Sequence, residues 1–274
     1  MPELPEVETI RRTLEPLVAS KKITKVRVLR DSVIKHPSVH DFCRLLTDRT
    51  IKNLARRGKY LLLNLQDGYI LAVHLRMTGQ LTYALSKEET AKHTHVIFYL
   101  SDGNQLRFTD VRRFGCLWLL APQETDNFTG MARLGKEAWG EEISPDYLKE
   151  TLAKRKICIK QALLDQSVLA GLGNIYVDEV LFAAAIDPMR KTADLTAEEW
   201  CNLAKLIPQI LDKSINNKGT TFSDYRDGLG KKGYHLIHLE AYGRAGEACN
   251  RCGRLLIKQK VAGRSTVYCP YCQK

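Results

Sequence analysis

The chain predicts an α+β fold: an N-terminal β-sandwich with flanking helices, a helical module, and a short β-hairpin carrying cysteines. Three observations predict it. Residues 60–120 hold short apolar runs separated by turn residues, with Asp-Gly at 67–68 and 102–103. From about residue 135 the apolar spacing becomes helical. Residues 249–274 contain two Cys-x2-Cys knuckles. A length of 274 residues suffices for more than one core, and 44% hydrophobic content fits a globular chain.

Leu4, Val7, Ile10, Leu14 and Leu17 recur at helical spacing, with Pro5 in the first turn. This predicts an amphipathic helix ending near 16–18 and places Pro2 and Glu3 just before its N-terminus. Runs at 60–65 and 69–75 flank Gln66-Asp67-Gly68, and runs at 95–100 and 105–109 flank residues 101–104. Both read as hairpins, and 115–120 as a further strand. Ser144 followed by Pro145 is a cap with proline in the first turn, opening a helix to about 154. Helices are predicted over 158–165, 174–185 and 196–216. Gly219, Gly228, Gly230 and Gly233 among polar residues predict a mobile loop over 218–233. The domain boundaries read from this are 1–134, 135–232 (including the loop) and 233–274.

The formal net charge is +11, from 42 basic and 31 acidic residues. Such an excess favours a polyanion, nucleic acid or an anionic membrane surface. No apolar run approaches the ~20 residues of a membrane span. Glu3, Glu6 and Glu8 stand where a signal peptide would be basic. A cytoplasmic, nucleoid-associated protein is expected, and nothing signals an oligomer, so it reads as a monomer. Cys43, Cys116, Cys158 and Cys201 lie singly among apolar residues and read as reduced thiols. Cys249, Cys252, Cys269 and Cys272 differ: two knuckles sixteen residues apart supply four thiolates, the set for one tetrahedral Zn²⁺. Four protein ligands leave no open position, so the metal is structural. The intervening hairpin carries Arg264 near its tip, and with thiolates and zinc counted the region stays formally +4. It suits phosphate, or it is a domain-stabilising ribbon with solvated lysines.

The chemical candidates are Pro2 and Glu3. With Met1 removed, Pro2 becomes a secondary amine; α-amines have a pKa of roughly 7.7–8.0, so a useful fraction is nucleophilic near neutrality. An adjacent carboxylate moves the proton. With Met1 attached, the nitrogen is an amide and inert. Residues 170–174 (AGLGN) offer a close backbone approach at a helix N-terminus, or a plain interhelical turn. Residues 56–59 (RRGK) read as a phosphate site or a solvated charge run. Met77 and Phe114, each beside arginine at a strand end, suit wedges that unstack bases, or ordinary rim packing.

Together these stretches resemble the bacterial formamidopyrimidine-DNA glycosylase (8-oxoguanine DNA glycosylase) family. The matches are 1–9 (MPELPEVET), 56–59 (RRGK), 74–77 (HLRM), 110–115 (DVRRFG), 171–179 (GLGNIYVDE) and 261–264 (VAGR), in the family's order along the whole chain. The opening fits this branch better than the endonuclease VIII branch. The resemblance implies a β-sandwich, a helix–two-turn–helix module and a zinc finger, with damaged duplex DNA crossing between lobes and the damaged base flipped out. It implies excision of oxidised purines through a Schiff base on Pro2, then strand cleavage by β,δ-elimination. Glu3 would be the acid–base partner, and Lys59 and Arg264 would hold phosphates and assist elimination. Asn174 would hold the same backbone, with His74, His93, Arg155 and Tyr242 as further contacts. Met77 would fill the vacated space, Phe114 wedge the stack and Arg112 pair with the widowed cytosine. Thr220, Thr221 and Tyr225 would belong to the lid over the flipped base. Two departures stand out: Thr78 replaces an acidic residue found in some members, and residues 140–143 lack a linker proline. Two rival readings are an endonuclease VIII-like glycosylase for oxidised pyrimidines and a non-catalytic zinc-finger protein that binds damaged DNA. A covalent adduct trapped by borohydride separates catalysis from binding.

Overall fold

The computed structural model describes residues 1–125, 128–140 and 143–274. The central pair of the 140–143 linker therefore lies outside the described residues. Two compact units emerge: Met1–Ala132 with Asn217–Tyr234, and Arg133–Asn216 with His235–Lys274.

The first unit contains α1 (Leu4–Val18), β1 (Ile23–Val28), β2 (Ile34–His36), α2 (Val39–Leu46), β3 (Ile51–Arg57), β4 (Tyr60–Leu65), β5 (Ile70–His74), β6 (Gly79–Ala84), β7 (Thr94–Leu100), β8 (Gln105–Asp110), β9 (Cys116–Leu120) and α3 (Thr129–Ala132). Two sheets form, ordered β1-β7-β8-β6 and β2-β9-β5-β4-β3. Alternate residues of both, among them Leu61, Leu63, Leu71, Val96, Phe98 and Phe108, meet Val7, Ile10 and Leu14 of α1 in one core. α1 forms as its apolar spacing predicts, with Pro5 in the first turn, where a missing N–H costs nothing. The 66–68 turn matches expectation, with Asp67 and Gly68 at φ +59° and +75°.

The segment 217–234, of which the sequence groups 217–232 with the helices, makes its hydrogen bonds elsewhere. Thr220 N–H donates to Glu6 Oε1 at 2.8 Å, Gly228 N–H to Thr13 Oγ1 at 2.9 Å, and Tyr83 N–H to the Gly228 carbonyl at 2.8 Å. Gly228 permits this approach: a Cβ there would sit 2.5 Å from Leu14 Cγ. The loop also closes on itself through Tyr234 N–H to Asn217 O at 2.9 Å. It is a folded element resting on α1.

The second unit contains β10 (Lys136–Glu137), α4 (Pro145–Leu152), α5 (Ile159–Leu163), β11 (Leu169–Ala170), α6 (Asn174–Ala183), α7 (Ala197–Asn216), β12 (Ile257–Val261) and β13 (Arg264–Tyr268). Ser144 caps α4 by accepting the Tyr147 N–H at 3.1 Å. Tyr176, Trp200, Leu203, Ile207 and Leu211 make the helical core. β12 and β13 are joined by Ala262-Gly263, at φ +48° and +77°. Two positive φ values make the tight turn whose twist matches a hairpin. No helix among the described residues is long and apolar enough to cross a membrane.

Candidate functional site

In the first unit the candidates gather at the head of α1 and at one end of the sheets. Met1 is 44% exposed, whereas Pro2 is buried and Glu3 is 2% exposed. Glu3 caps α1 and its N–H donates to Glu6 Oε2 at 2.8 Å. Glu6 thus serves two N–H groups, one from Glu3 and one from Thr220, and joins the head of α1 to the loop. Sequence reasoning did not single out Glu6; its signal was its place three residues after a capping position.

Lys59 sits with Gly58 in the two-residue turn between β3 and β4, where Gly58 has φ +54°. The RRGK run is not uniformly solvated. Arg56 is nearly buried and lies 3.3 Å from the buried Glu8, which also binds Arg11 and Arg12. Burial pushes the Glu8 carboxyl up, but the arginines outweigh it and hold it below its usual value. His74 ends β5 beside Tyr60, ring centroids 4.7 Å apart. Burial, then the charges of Arg76 and Lys59, push its pKa down to about 3. The ring is neutral; its Nδ1 accepts the Arg76 N–H at 3.1 Å, so Nε2 carries the proton.

The register Gly79↔Asp110 sets the 75–78 and 111–115 turns side by side. Met77 is 39% and Phe114 51% exposed, with the Arg112 guanidinium 5.0 Å from the Phe114 ring centre. Buried Asp110 organises both turns. Its Oδ2 accepts the Gly115 N–H at 2.7 Å, and its Oδ1 accepts the Arg112 N–H at 3.2 Å and the Thr78 hydroxyl. Thr78 Oγ1 also accepts the Arg112 N–H at 3.1 Å. The threonine that departs from the family pattern is thus buried and ties one turn to the other. The His93 carbonyl accepts the Asp110 N–H at 3.0 Å, which brings His93 to the same end. Thr220, Thr221 and Tyr225 are buried in the loop. Thr221 Oγ1 donates to Tyr225 O at 3.2 Å, and the Tyr225 hydroxyl to Lys218 O at 3.2 Å. Burial and the Glu6 charge raise the Tyr225 pKa well above its usual value.

In the second unit, Asn174 opens α6 and Arg264 opens β13, exposed beside the hairpin turn. Asn174 Nδ2 donates to Ser265 O at 2.8 Å, which brings the two residues together. Arg155 pairs with Asp165 at 2.5 Å. The Tyr242 N–H, with those of Glu240 and Ala241, donates to the buried Glu179 at 2.8–2.9 Å. Sequence reasoning also passed over Lys160 and Asp178, a pair sealed in the interior. A lysine among Ile159, Ala162 and Leu163 was the available signal.

The sulfurs of Cys249, Cys252, Cys269 and Cys272 all lie within 4.8 Å of one another. Zn–S bonds of about 2.3 Å require sulfurs just under 4 Å apart, so the set fits one tetrahedral Zn²⁺. The Cys272 N–H donates to Cys269 Sγ at 3.4 Å, a bond that favours thiolate. This is a structural zinc site.

Residues 1–117 match the formamidopyrimidine-DNA glycosylase N-terminal domain and 134–226 its H2TH domain. Residues 246–274 match the zinc finger found in FPG and IleRS. A formamidopyrimidine-DNA glycosylase of Pelotomaculum thermopropionicum is 48% identical over 274 residues, covering 100% of this chain and 99% of the relative. The chain belongs to the formamidopyrimidine-DNA glycosylase family. A further glycosylase of this name, from Shouchella clausii, is 44% identical over 100% of this chain and 99% of its own. A Lactococcus lactis FPG mutant solved with Fapy-dG-containing DNA is 37% identical, with a TM-score of 0.93 and full coverage of both chains. Wild-type Lactococcus lactis FPG solved with DNA containing an oxidized pyrimidine gives 0.92, again at 37% identity and full coverage of both. The family's three-part order thus agrees with the sheets, helices and cysteine hairpin described above.

Proposed function

We propose that this chain is a bifunctional DNA glycosylase and AP lyase that excises oxidised purines (8-oxoguanine and formamidopyrimidines) from duplex DNA. The observation that carries the reading is the buried Pro2 and Glu3 at the head of α1, behind an exposed Met1. Met1 removal turns the Pro2 nitrogen into a secondary amine. Its lone pair attacks C1′ of the flipped nucleotide, the bond to the base breaks, and the base leaves with a proton. A proton delivered to O4′ lets the C1′–O4′ bond break, the nitrogen lone pair completes an iminium at C1′, and this iminium acidifies the C2′ protons. Loss of one expels the 3′ phosphate, and a second elimination expels the 5′ phosphate, leaving a one-nucleotide gap. Glu3 moves the protons.

Lys59 and Arg264 hold the phosphates beside the lesion, and Asn174 binds the same backbone. His74, fixed as a neutral donor at Nε2, offers a hydrogen bond without a charge. His93, Arg155 and Tyr242 add backbone contacts. Met77 and Phe114 occupy the disrupted stack, Arg112 reads the widowed cytosine, and Thr220, Thr221 and Tyr225 shape the surroundings of the flipped base. The Zn²⁺ supplies no chemistry to the reaction; it keeps the hairpin folded. The protein works as a monomer, in the cytoplasm at the nucleoid.

The test is borohydride trapping on an 8-oxoguanine:cytosine duplex. The mature chain is expected to form a covalent adduct and nick the strand. A chain with an uncleaved residue before Pro2 is expected to bind without an adduct, because its nitrogen is an amide. Binding without adduct or nick by the mature chain would leave a damaged-DNA-binding protein. Much faster cutting of a parallel thymine-glycol duplex would shift the substrate to oxidised pyrimidines.

A further inference from the structure

We propose that Lys160 and Asp178 are positioning residues: a buried ion pair that fixes the edge of β13 against α6, and so sets Arg264 and Asn174 in register with each other. The inference rests on the reading above that these two side chains hold the DNA backbone. Lys160 stands on α5 and Asp178 on α6, and both side chains are 0% exposed. Lys160 Nζ lies 2.5 Å from Asp178 Oδ1 and donates to the Ser265 carbonyl at 3.1 Å. Asp178 Oδ2 accepts the Val267 N–H at 3.1 Å. Asn174, one turn before Asp178 on α6, donates to the same Ser265 carbonyl at 2.8 Å. Ser265 and Val267 are the first and third residues after Arg264, so two backbone groups beside the arginine are held from the helix that carries Asn174.

Stability alone is a weak reason for such a pair. Taking two charges out of water costs about as much as their attraction returns, and well-packed apolar residues often do as well or better. What an apolar pair lacks is direction. Here the ammonium and the carboxylate each spend a second hydrogen bond on a different backbone group of one strand, and that fixes both position and register. The zinc cannot do this by itself, because Cys269 and Cys272 tether only the far end of β13.

The test compares Lys160→Met/Asp178→Leu, which removes both charges and keeps an apolar filling, with Arg264→Ala, all on the zinc-loaded chain. The double variant is expected to retain one zinc per chain. Hydrogen exchange of amides 264–267 should speed up about tenfold or more, the effect of losing local protection. Single-turnover strand cleavage should fall roughly 10- to 100-fold, the range that misplacement by about 1 Å produces. DNA affinity should change less, and the balance of β- over δ-elimination product should rise. Wild-type cleavage and product balance in the zinc-loaded double variant would overturn the inference. Asp178→Asn, near-isosteric, decides if the double variant does not fold: a severalfold slower cleavage supports the clamp, and an unchanged rate overturns it. If Arg264→Ala itself cleaves like wild type, the reading of Arg264 fails, which is a different result from failure of the clamp.

Discussion

The loops of the first unit and the Arg264 hairpin of the second are anchored by different physics. In the first, single buried carboxylates gather N–H and O–H donors: Asp110 holds the turns bearing Met77, Arg112 and Phe114, and Glu6 holds the head of α1 and the 217–234 loop. In the second, the hairpin bearing Arg264 is held by four thiolates at one end and a buried ion pair along its edge. Dipole-fed carboxylates suit loops, whose backbone groups need partners anyway. A hairpin with so few apolar residues has little core of its own, and metal supplies what burial does not.

The largest effect should come from breaking the metal end. Cys269→Ser is expected to abolish zinc retention, since structural sites of this kind bind with an apparent ~10–16 kcal/mol. DNA affinity should fall with it, while the core of the first unit keeps its slow-exchanging amides. Metal analysis with hydrogen exchange checks this, and loss of protection across β4 and β5 would dissolve the contrast between the units.

Acid should come next. His74 has its pKa pushed to about 3 in the folded chain, by burial and then by Arg76 and Lys59, against about 6.5 when unfolded. Between these values the unfolded chain binds the extra proton. The His74 contribution is therefore complete above pH 6.5 and drains away as pH falls towards 3, at about 1.4 kcal/mol per pH unit. His235 in the second unit acts in the same direction over a shorter window, down to about 4, through burial and the charges of His238 and Lys213. Urea titrations at several pH values should give a shallower slope for His74→Gln. An unchanged slope would mean His74 is not buried neutral.

Two smaller effects sharpen the first half of the comparison. Asp110→Asn keeps the shape but turns one acceptor into a donor facing other donors, and should cost about 2–3 kcal/mol. Base excision should slow in parallel. Glu6→Gln likewise sets an amide N–H against the N–H of Glu3 or Thr220, but two donors meet Glu6 where three meet Asp110, so it should cost about 1–2 kcal/mol with faster exchange at the Thr220 amide. A loss in Glu6→Gln larger than in Asp110→Asn would invert the ranking of the two anchors.

Much of this was legible in the sequence because the signals were local. The period of α1, the Asp-Gly turns, the Ser144 cap and the Cys-x2-Cys spacing each lie within a few residues. α2 was not foreseen, since its eight residues bury only Phe42 and Leu46. Adjacency in sequence places residues 217–232 with the helices, but their partners Glu6 and Thr13 stand more than two hundred positions away. The anchoring roles are hidden for the same reason where the partners are distant: Thr78 meets Asp110 across 32 positions and Lys160 meets Ser265 across 105, although Asp110 also serves the nearby Arg112 and Gly115. The exposed candidates stood out because arginine beside methionine or phenylalanine is conspicuous in a linear string.

The return of 217–234 to α1 also bears on how the protein is made. Synthesis delivers residues 1–132 long before the stretch that completes their unit. Until then Glu6 waits for the Thr220 amide, and the surface of α1 around Leu14 lacks Gly228. A fragment ending near residue 132 would thus be an unfinished sandwich rather than a small domain, and adding a peptide of residues 217–234 in trans should tighten it. The head of the chain is finished by sequence from near its tail.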